Sequence, residues 1–75
     1  MTGIEFTNSR TRETRWLSDV TSIDVHDGDK VLNYWDPMGL IQDYRPGQTF
    51  FVTYNGGSST IALGKLWEPT GGHVS

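Results

Sequence analysis

The sequence predicts an all-β fold, arranged as a small antiparallel meander of five to six short strands. Strong helix formers are scarce, with one Ala, three Glu and two Lys, whereas Thr, Val and Ile total 18 and aromatic residues add nine. Turn signals also recur every nine to ten residues between positions 26 and 57. This interval is typical of strands about six residues long that are joined by tight turns.

Six segments alternate between apolar and polar residues or are rich in strand-forming residues. The predicted strands lie near residues 3–7, 20–26, 31–36, 40–45, 48–54 and 59–67. The first depends on Ile4 and Phe6, which alternate with polar neighbours. The polar segment 8–15 is interpreted as a loop or as one helical turn capped by Asn8 or Ser9.

Four turn motifs separate the later strands. Residues 27–28 and 55–57 contain the Asp-Gly and Asn-Gly pairs that are typical of hairpins. Residues 36–39 fit a type I turn in which the Asp36 side chain accepts a hydrogen bond from the backbone two residues on. Residues 45–48 have Pro and Gly at the centre of a type II turn.

The chain is expected to form one β-domain over residues 1–67. Residues 68–75, with one Pro and a Gly-Gly pair, are expected to be a flexible C-terminal tail. Because so few short strands cannot bury both faces of a flat sheet, we expect them to close as an SH3-like barrel. A compact sandwich is the alternative, because the Pro-Gly turn and aromatic strand of residues 44–57 resemble the late strand pair of immunoglobulin-like and fibronectin-like sandwiches.

Strand alternation leaves more aromatic residues than the inside of one small barrel can hold. In the strand near 48–54, Phe50 shares a face with Val52, whereas Phe51 faces the other way. Outward aromatic residues are typical of protein interfaces. The first hypothesis is therefore a non-catalytic interaction module that binds a protein partner, or itself as a homodimer. The predicted contact residues are Tyr34, Trp35, Tyr44 and Phe51.

A basic segment supports a second hypothesis. Arg10, Arg12 and Arg15 lie within six residues, and Arg forms bidentate bonds to phosphates and carboxylates. These residues are predicted to contact an acidic partner, or to hold the backbone of a nucleic acid whose bases stack on the aromatic residues. The net charge of −3 disfavours nucleic-acid binding by the body of the fold.

A third hypothesis follows from a resemblance. The order Gly28-Asp29, Asp36-Pro37, Gly39 and Arg45-Pro46 is similar to the opening of SH3-like toxin endoribonucleases, over about 20 residues. The resemblance implies an SH3-like barrel that cleaves RNA. It also implies that Arg45 contacts the scissile phosphate.

Other features disfavour catalysis, cofactors and membranes. No spacing assembles a nucleophile with a base, so we expect neither an enzyme nor a cofactor. The histidines are His26 and His73, and the acidic residues 24–29 depart from the calcium-loop pattern, so no metal site is expected. Residues 1–5 lack the features of a signal peptide, and no apolar run is long enough for a membrane span, which favours the cytoplasm.

Overall fold

The computed structural model describes residues 2–73 and confirms the all-β class. Its elements are β1 (Gly3–Asn8), β2 (Thr14–Ser18), β3 (Ser22–Asp27), β4 (Lys30–Tyr34), α1 (Pro37–Asp43), β5 (Thr49–Tyr54), a short 3-10 turn (Asn55–Gly57), β6 (Ser59–Leu63) and β7 (Trp67–His73). The strands form two antiparallel sheets, in the orders β2-β1-β7 and β4-β3-β5-β6. These sheets do not close on each other over the described residues, so the predicted SH3-like barrel is not observed.

The apolar core lies between the two sheets. Phe6 of the three-stranded sheet meets Phe50 of the four-stranded sheet, with 5.1 Å between the ring centroids. Each sheet therefore contributes one apolar face, as expected for packed layers. The buried apolar residues are Ile4, Phe6, Leu17, Ile23, Val25, Leu40, Phe50, Val52 and Leu63.

The C-terminal segment is a strand where the sequence predicted a flexible tail. Residues 67–73 pair antiparallel with β1, and the register shifts between Glu5 and Phe6, which are opposite Gly71 and Pro69. Pro and Gly have low intrinsic strand propensity, so the sequence pattern alone does not indicate β7. Backbone pairing with β1 stabilises residues 67–73 as a strand despite their low propensity. The remainder of the predicted tail, residues 74–75, lies outside the described residues.

Gly72 allows helix α1 to lie against β7. A Cβ at Gly72 would come within 2.8 Å of the Pro37 Cβ and 3.4 Å of the Ile41 Cδ1. The first distance is shorter than a real Cβ tolerates and the second is at the lower limit of van der Waals contact, so a larger residue would push the helix away from the sheet. The glycine that weakened the strand prediction is thus required by the packing of the helix.

The predicted strand near 40–45 is wrong, because residues 37–43 form α1. Asp36 caps this helix through a hydrogen bond that Met38 N–H donates to its Oδ1 at 3.0 Å, the local bond predicted for a turn. Pro37 occupies the start of the helix, where a missing N–H costs nothing. A short apolar run around Leu40 fits a buried strand or a buried helix equally well, and the capping residues decide between them.

The segment 8–15 combines the predicted turn with an unpredicted strand. Asn8 Oδ1 accepts hydrogen bonds from the N–H groups of Arg10 and Thr11 at 2.9 and 3.0 Å, which confirms Asn8 as a cap. Strand β2 then begins at Thr14 and pairs with β1. Only Leu17 of its five residues is buried, so the sequence of β2 shows no apolar alternation that would predict a strand.

The remaining turns are confirmed. Gly28 has a φ of +62° in the two-residue loop between β3 and β4, and Gly47 has a φ of +92° in the turn before β5. Both values lie in the region that glycine adopts without strain. The Asn55–Gly57 turn joins β5 to β6, so β3–β4 and β5–β6 are the predicted hairpins. The predicted meander is wrong, because the chain crosses over through α1 after β4, and β5 pairs with β3 and not with β4.

Candidate functional site

The outer face of the four-stranded sheet carries an exposed apolar cluster. Val31 lies directly opposite His26 in the β3–β4 register, and the His26 ring meets the Phe51 ring with 4.7 Å between centroids. The side chains of Val31 and Phe51 are 59% and 39% exposed. We call these three residues, Val31, His26 and Phe51, the outer patch.

Trp35 directly follows β4 and is 78% exposed, more than any other large apolar side chain in the described part of the chain. An exposed indole at the end of a strand contributes nothing to core packing. It offers a large apolar surface with a hydrogen-bond donor, which suits a binding contact. The structure thus places two predicted contact residues, Trp35 and Phe51, in solvent.

The other two predicted contact residues lie on the opposite side of the sheet. Tyr34 is opposite the buried Ile23, and the Tyr44 ring lies 5.9 Å from the ring of Phe50. Both tyrosines line a groove of about 530 Å³ between β4, the end of α1 and the turn before β5. The groove is lined by Asp27, Lys30, Leu32, Tyr34, Gln42, Asp43, Tyr44, Arg45 and Gln48.

Each groove tyrosine is held in its neutral form by its surroundings. Burial raises the pKa of Tyr34, and so do the negative charge of Asp43 and the hydrogen bond that the phenol donates to Asp43 Oδ2 at 3.3 Å. Burial likewise raises the pKa of Tyr44, with the charge and a hydrogen bond of Glu68 adding to the effect. Both phenols are therefore protonated hydrogen-bond donors at neutral pH.

Gln48 connects two of the elements that line this groove. It is 4% exposed, its Nε2 donates to Asp27 Oδ2 at 3.2 Å, and its Oε1 accepts from Arg45 N–H at 3.1 Å. The residue therefore ties the β3–β4 hairpin to the turn before β5. Sequence reasoning missed it, although its position in the same alternation as Phe50 indicated an inward side chain.

The three predicted arginines lie apart from the outer patch. Arg10 and Arg12 are exposed in the loop before β2. Arg15 is in β2, where its guanidinium lies 3.9 Å from Glu13 and 5.7 Å from the centroid of the Trp67 ring. This basic segment belongs to the three-stranded sheet, whereas the outer patch belongs to the four-stranded sheet.

The residues behind the endoribonuclease resemblance have local structural roles. Gly28 forms a hairpin turn, Asp36 caps α1, and the backbone of Arg45 bonds to Gln48. The Arg45 side chain lines the groove, where Lys30 is the other cation and Asp27 and Asp43 are the anions. Within residues 2–73, no three His, Asp or Glu side chains are grouped to hold a metal ion.

Comparisons with protein-family models, with curated proteins and with solved structures found no match to this chain. In the part of the chain that the structure describes, no helix has the length and apolar character needed to cross a membrane. Function is therefore inferred from the geometry of this chain.

Proposed function

We propose that this protein is a non-catalytic interaction module that binds a protein chain through the outer patch and Trp35. The observation that carries the proposal is the cluster in which Val31 lies opposite His26 and the His26 ring meets Phe51, with Val31 and Phe51 exposed to solvent in the described chain. Aromatic and aliphatic side chains that cluster in this way are typical of the central part of protein interfaces.

The energetics favour binding. Each Å² of apolar surface removed from water stabilises a complex by about 25 cal/mol before the costs of association. Trp and Phe lose few rotamers on binding, so a large part of that gain is retained. Burying Phe51 and Trp35 against a partner would use apolar area that contributes little to the stability of the isolated chain.

The test compares Phe51→Thr and Trp35→Thr with Leu66→Thr. Leu66 is 46% exposed and its carbonyl accepts a hydrogen bond from Ser9 N–H, so it lies beside the β1–β2 loop and away from the patch. Proteins retained from a lysate are purified, and their affinities for the wild type and the variants are measured by calorimetry. We expect Phe51→Thr and Trp35→Thr each to weaken binding at least about tenfold, while Leu66→Thr binds as the wild type does.

Circular dichroism and thermal unfolding establish that all three variants are folded. Unchanged affinity in folded Phe51→Thr and Trp35→Thr would contradict the proposal, and unfolding of these variants would assign both residues to the core. Binding of RNA or DNA probes that is lost in Arg10→Ala and Arg12→Ala, but kept in the Phe51 and Trp35 variants, would replace the proposal with nucleic-acid recognition.

A further inference from the structure

Strand β4 presents an unprotected edge. It is one of the two edge strands of its sheet, and of the seven strands in residues 2–73 it alone has no buried residue. The side chains of Val31 and Leu32 are 59% and 38% exposed along it. An exposed apolar edge strand has backbone N–H and C=O groups available to pair with another strand.

We infer that the edge of β4 binds a second copy of this chain, and that the two β4 strands pair antiparallel about a two-fold axis at Leu32. The inference rests on the proposed function in one respect, that the protein works by binding another protein chain. The two four-stranded sheets would then form one sheet of eight strands. Centring the pair on Leu32 matches all five residues of each strand and places Leu32 against its copy.

Charge complementarity supports this pairing. In the register centred on Leu32, Lys30 lies opposite Tyr34 of the second copy and on the same face of the sheet. The Tyr34 phenol donates to the carboxylate of Asp43 at 3.3 Å, so the ammonium group of Lys30 reaches that carboxylate across the interface. Within residues 2–73 neither Lys30 nor Asp43 has an ion-pair partner in its own chain. The two-fold symmetry creates two ion pairs between Lys30 of one copy and Asp43 of the other. It also joins the grooves of the two copies along the inner face of the combined sheet.

The other sheet edges offer no comparable match. Helix α1 lies against β7, with Gly72 in contact with the helix. A β2 pair centred on Trp16 would place Arg15 opposite Leu17, and a β6 pair centred on Ile61 would bring only uncharged residues together. Of these edges, only β4 combines the absence of a buried residue with a cation at one end and, beside Tyr34 at the other end, the carboxylate of Asp43.

The first measurement is the mass of the full chain by light scattering and sedimentation, from about 1 μM to about 1 mM, a range that includes weak association. We expect a concentration-dependent dimer. Leu32→Lys places two positive charges on the axis and should weaken dimerisation at least about tenfold. Leu66→Lys makes the same chemical change at a site of similar exposure away from β4, and it should dimerise as the wild type does.

A charge exchange tests the register. Lys30→Glu should weaken the dimer by placing two acidic groups together, and Asp43→Lys should weaken it by placing two basic groups together. The double variant Lys30→Glu with Asp43→Lys restores opposite charges and should recover the association of the wild type. A double variant that is no better than the single variants contradicts the predicted contact.

Cysteine cross-linking gives a third readout, and the absence of native cysteine makes it specific. Residues directly opposite each other in an antiparallel pair have Cα atoms about 4.5 to 5.5 Å apart, within the span of a disulfide. Leu32→Cys should therefore form a covalent dimer under mild oxidation. Leu66→Cys, the control at similar exposure, should remain monomeric.

The outcomes separate this inference from the proposed function. A wild type that stays monomeric to about 1 mM overturns self-pairing, yet leaves binding of a different protein through Phe51 and Trp35 intact. A dimer that Phe51→Thr abolishes and Leu32→Lys spares overturns the β4 interface and assigns dimerisation to the outer patch. If Leu32→Lys disrupts the dimer while Phe51→Thr and Trp35→Thr bind other proteins as the wild type does, β4 pairing is supported. Binding of a partner through the outer patch is then contradicted.

Discussion

Two neighbouring residues of β5 show how differently the two faces of the four-stranded sheet are used. Phe50 is completely buried and contacts the rings of Phe6 and Tyr44, whereas Phe51 is 39% exposed and meets only His26 among the rings. Both side chains have the same size and hydrophobicity. Their positions in the alternation therefore decide that the first contributes to the free energy of unfolding and that the second is available to a partner.

The same contrast applies to the whole sheet. Its inner face carries Ile23, Val25 and Val52, which are fully buried, while the outer face carries the exposed Val31. A small domain has too little polar surface to cover every apolar side chain, so single exposed apolar residues are ordinary. The contact between Val31, His26 and Phe51 is different because these residues are neighbours on adjacent strands.

The largest expected effect contrasts the two phenylalanines. Phe50→Ala should lower the free energy of unfolding by about 3 to 5 kcal/mol, because it removes packing and leaves a cavity between the sheets. Phe51→Thr should lower it by no more than about 1 kcal/mol, since Thr suits an exposed strand position. Chemical denaturation with urea provides the measurement.

A milder core variant keeps this contrast measurable if Phe50→Ala does not fold. Ile23→Val removes one methylene from the same inner face and should cost about 0.5 to 1.5 kcal/mol. Equal losses in Phe50→Ala and Phe51→Thr would show that the two faces do not differ as described.

The next largest expected effect is a loss of stability on replacing Gln48, at the polar end of the inner face. Gln48→Ala removes the hydrogen bond that joins Asp27 of the β3–β4 hairpin to the turn before β5, and also the bond from Arg45 N–H within that turn, and it leaves the Asp27 carboxylate with one partner fewer. We expect a loss of about 1 to 3 kcal/mol in the free energy of unfolding. Gln42→Ala, at an exposed position of the same groove, is the matched control and should change it by no more than about 0.5 kcal/mol.

The smallest effect is a dependence on alkaline pH at the groove edge of the inner face. The raised pKa values of Tyr34 and Tyr44 mean that the folded chain holds the phenol protons more tightly than the unfolded chain does. Their contribution to stability is fully present below pH 10.0, the ordinary pKa, and is lost as the pH rises from there through the raised values.

Urea unfolding at a series of pH values above neutrality measures this dependence. Tyr34→Phe and Tyr44→Phe should each reduce the decline in stability above pH 10.0. Asp43→Asn removes the charge beside Tyr34 and should move the pKa of that phenol back toward its ordinary value. If the stability of these variants declines above pH 10.0 as much as that of the wild type does, the groove does not stabilise the neutral phenols.

Much of the four-stranded sheet was predictable because its signals are local. Alternation placed Ile23 and Val25 inside, and the hairpin glycine at Gly28 needs only its own backbone conformation. Phe51 was also correctly predicted to lie outside. Tyr44 was wrongly grouped with it, because α1 replaces the strand expected near 40–45 and brings Tyr44 to the inner side, near Phe50.

The sequence by itself determined the strand faces, the turns and the cap at Asp36, because these depend on neighbouring residues. Only the tertiary structure decided that residues 67–73 form a strand, that two sheets share the core, and that Gln48 finds its partner in Asp27. The Thr7 and Thr70 hydroxyls meet at 2.9 Å although 63 positions separate them. Such contacts arise from pairing and packing between distant segments, which local propensity does not encode.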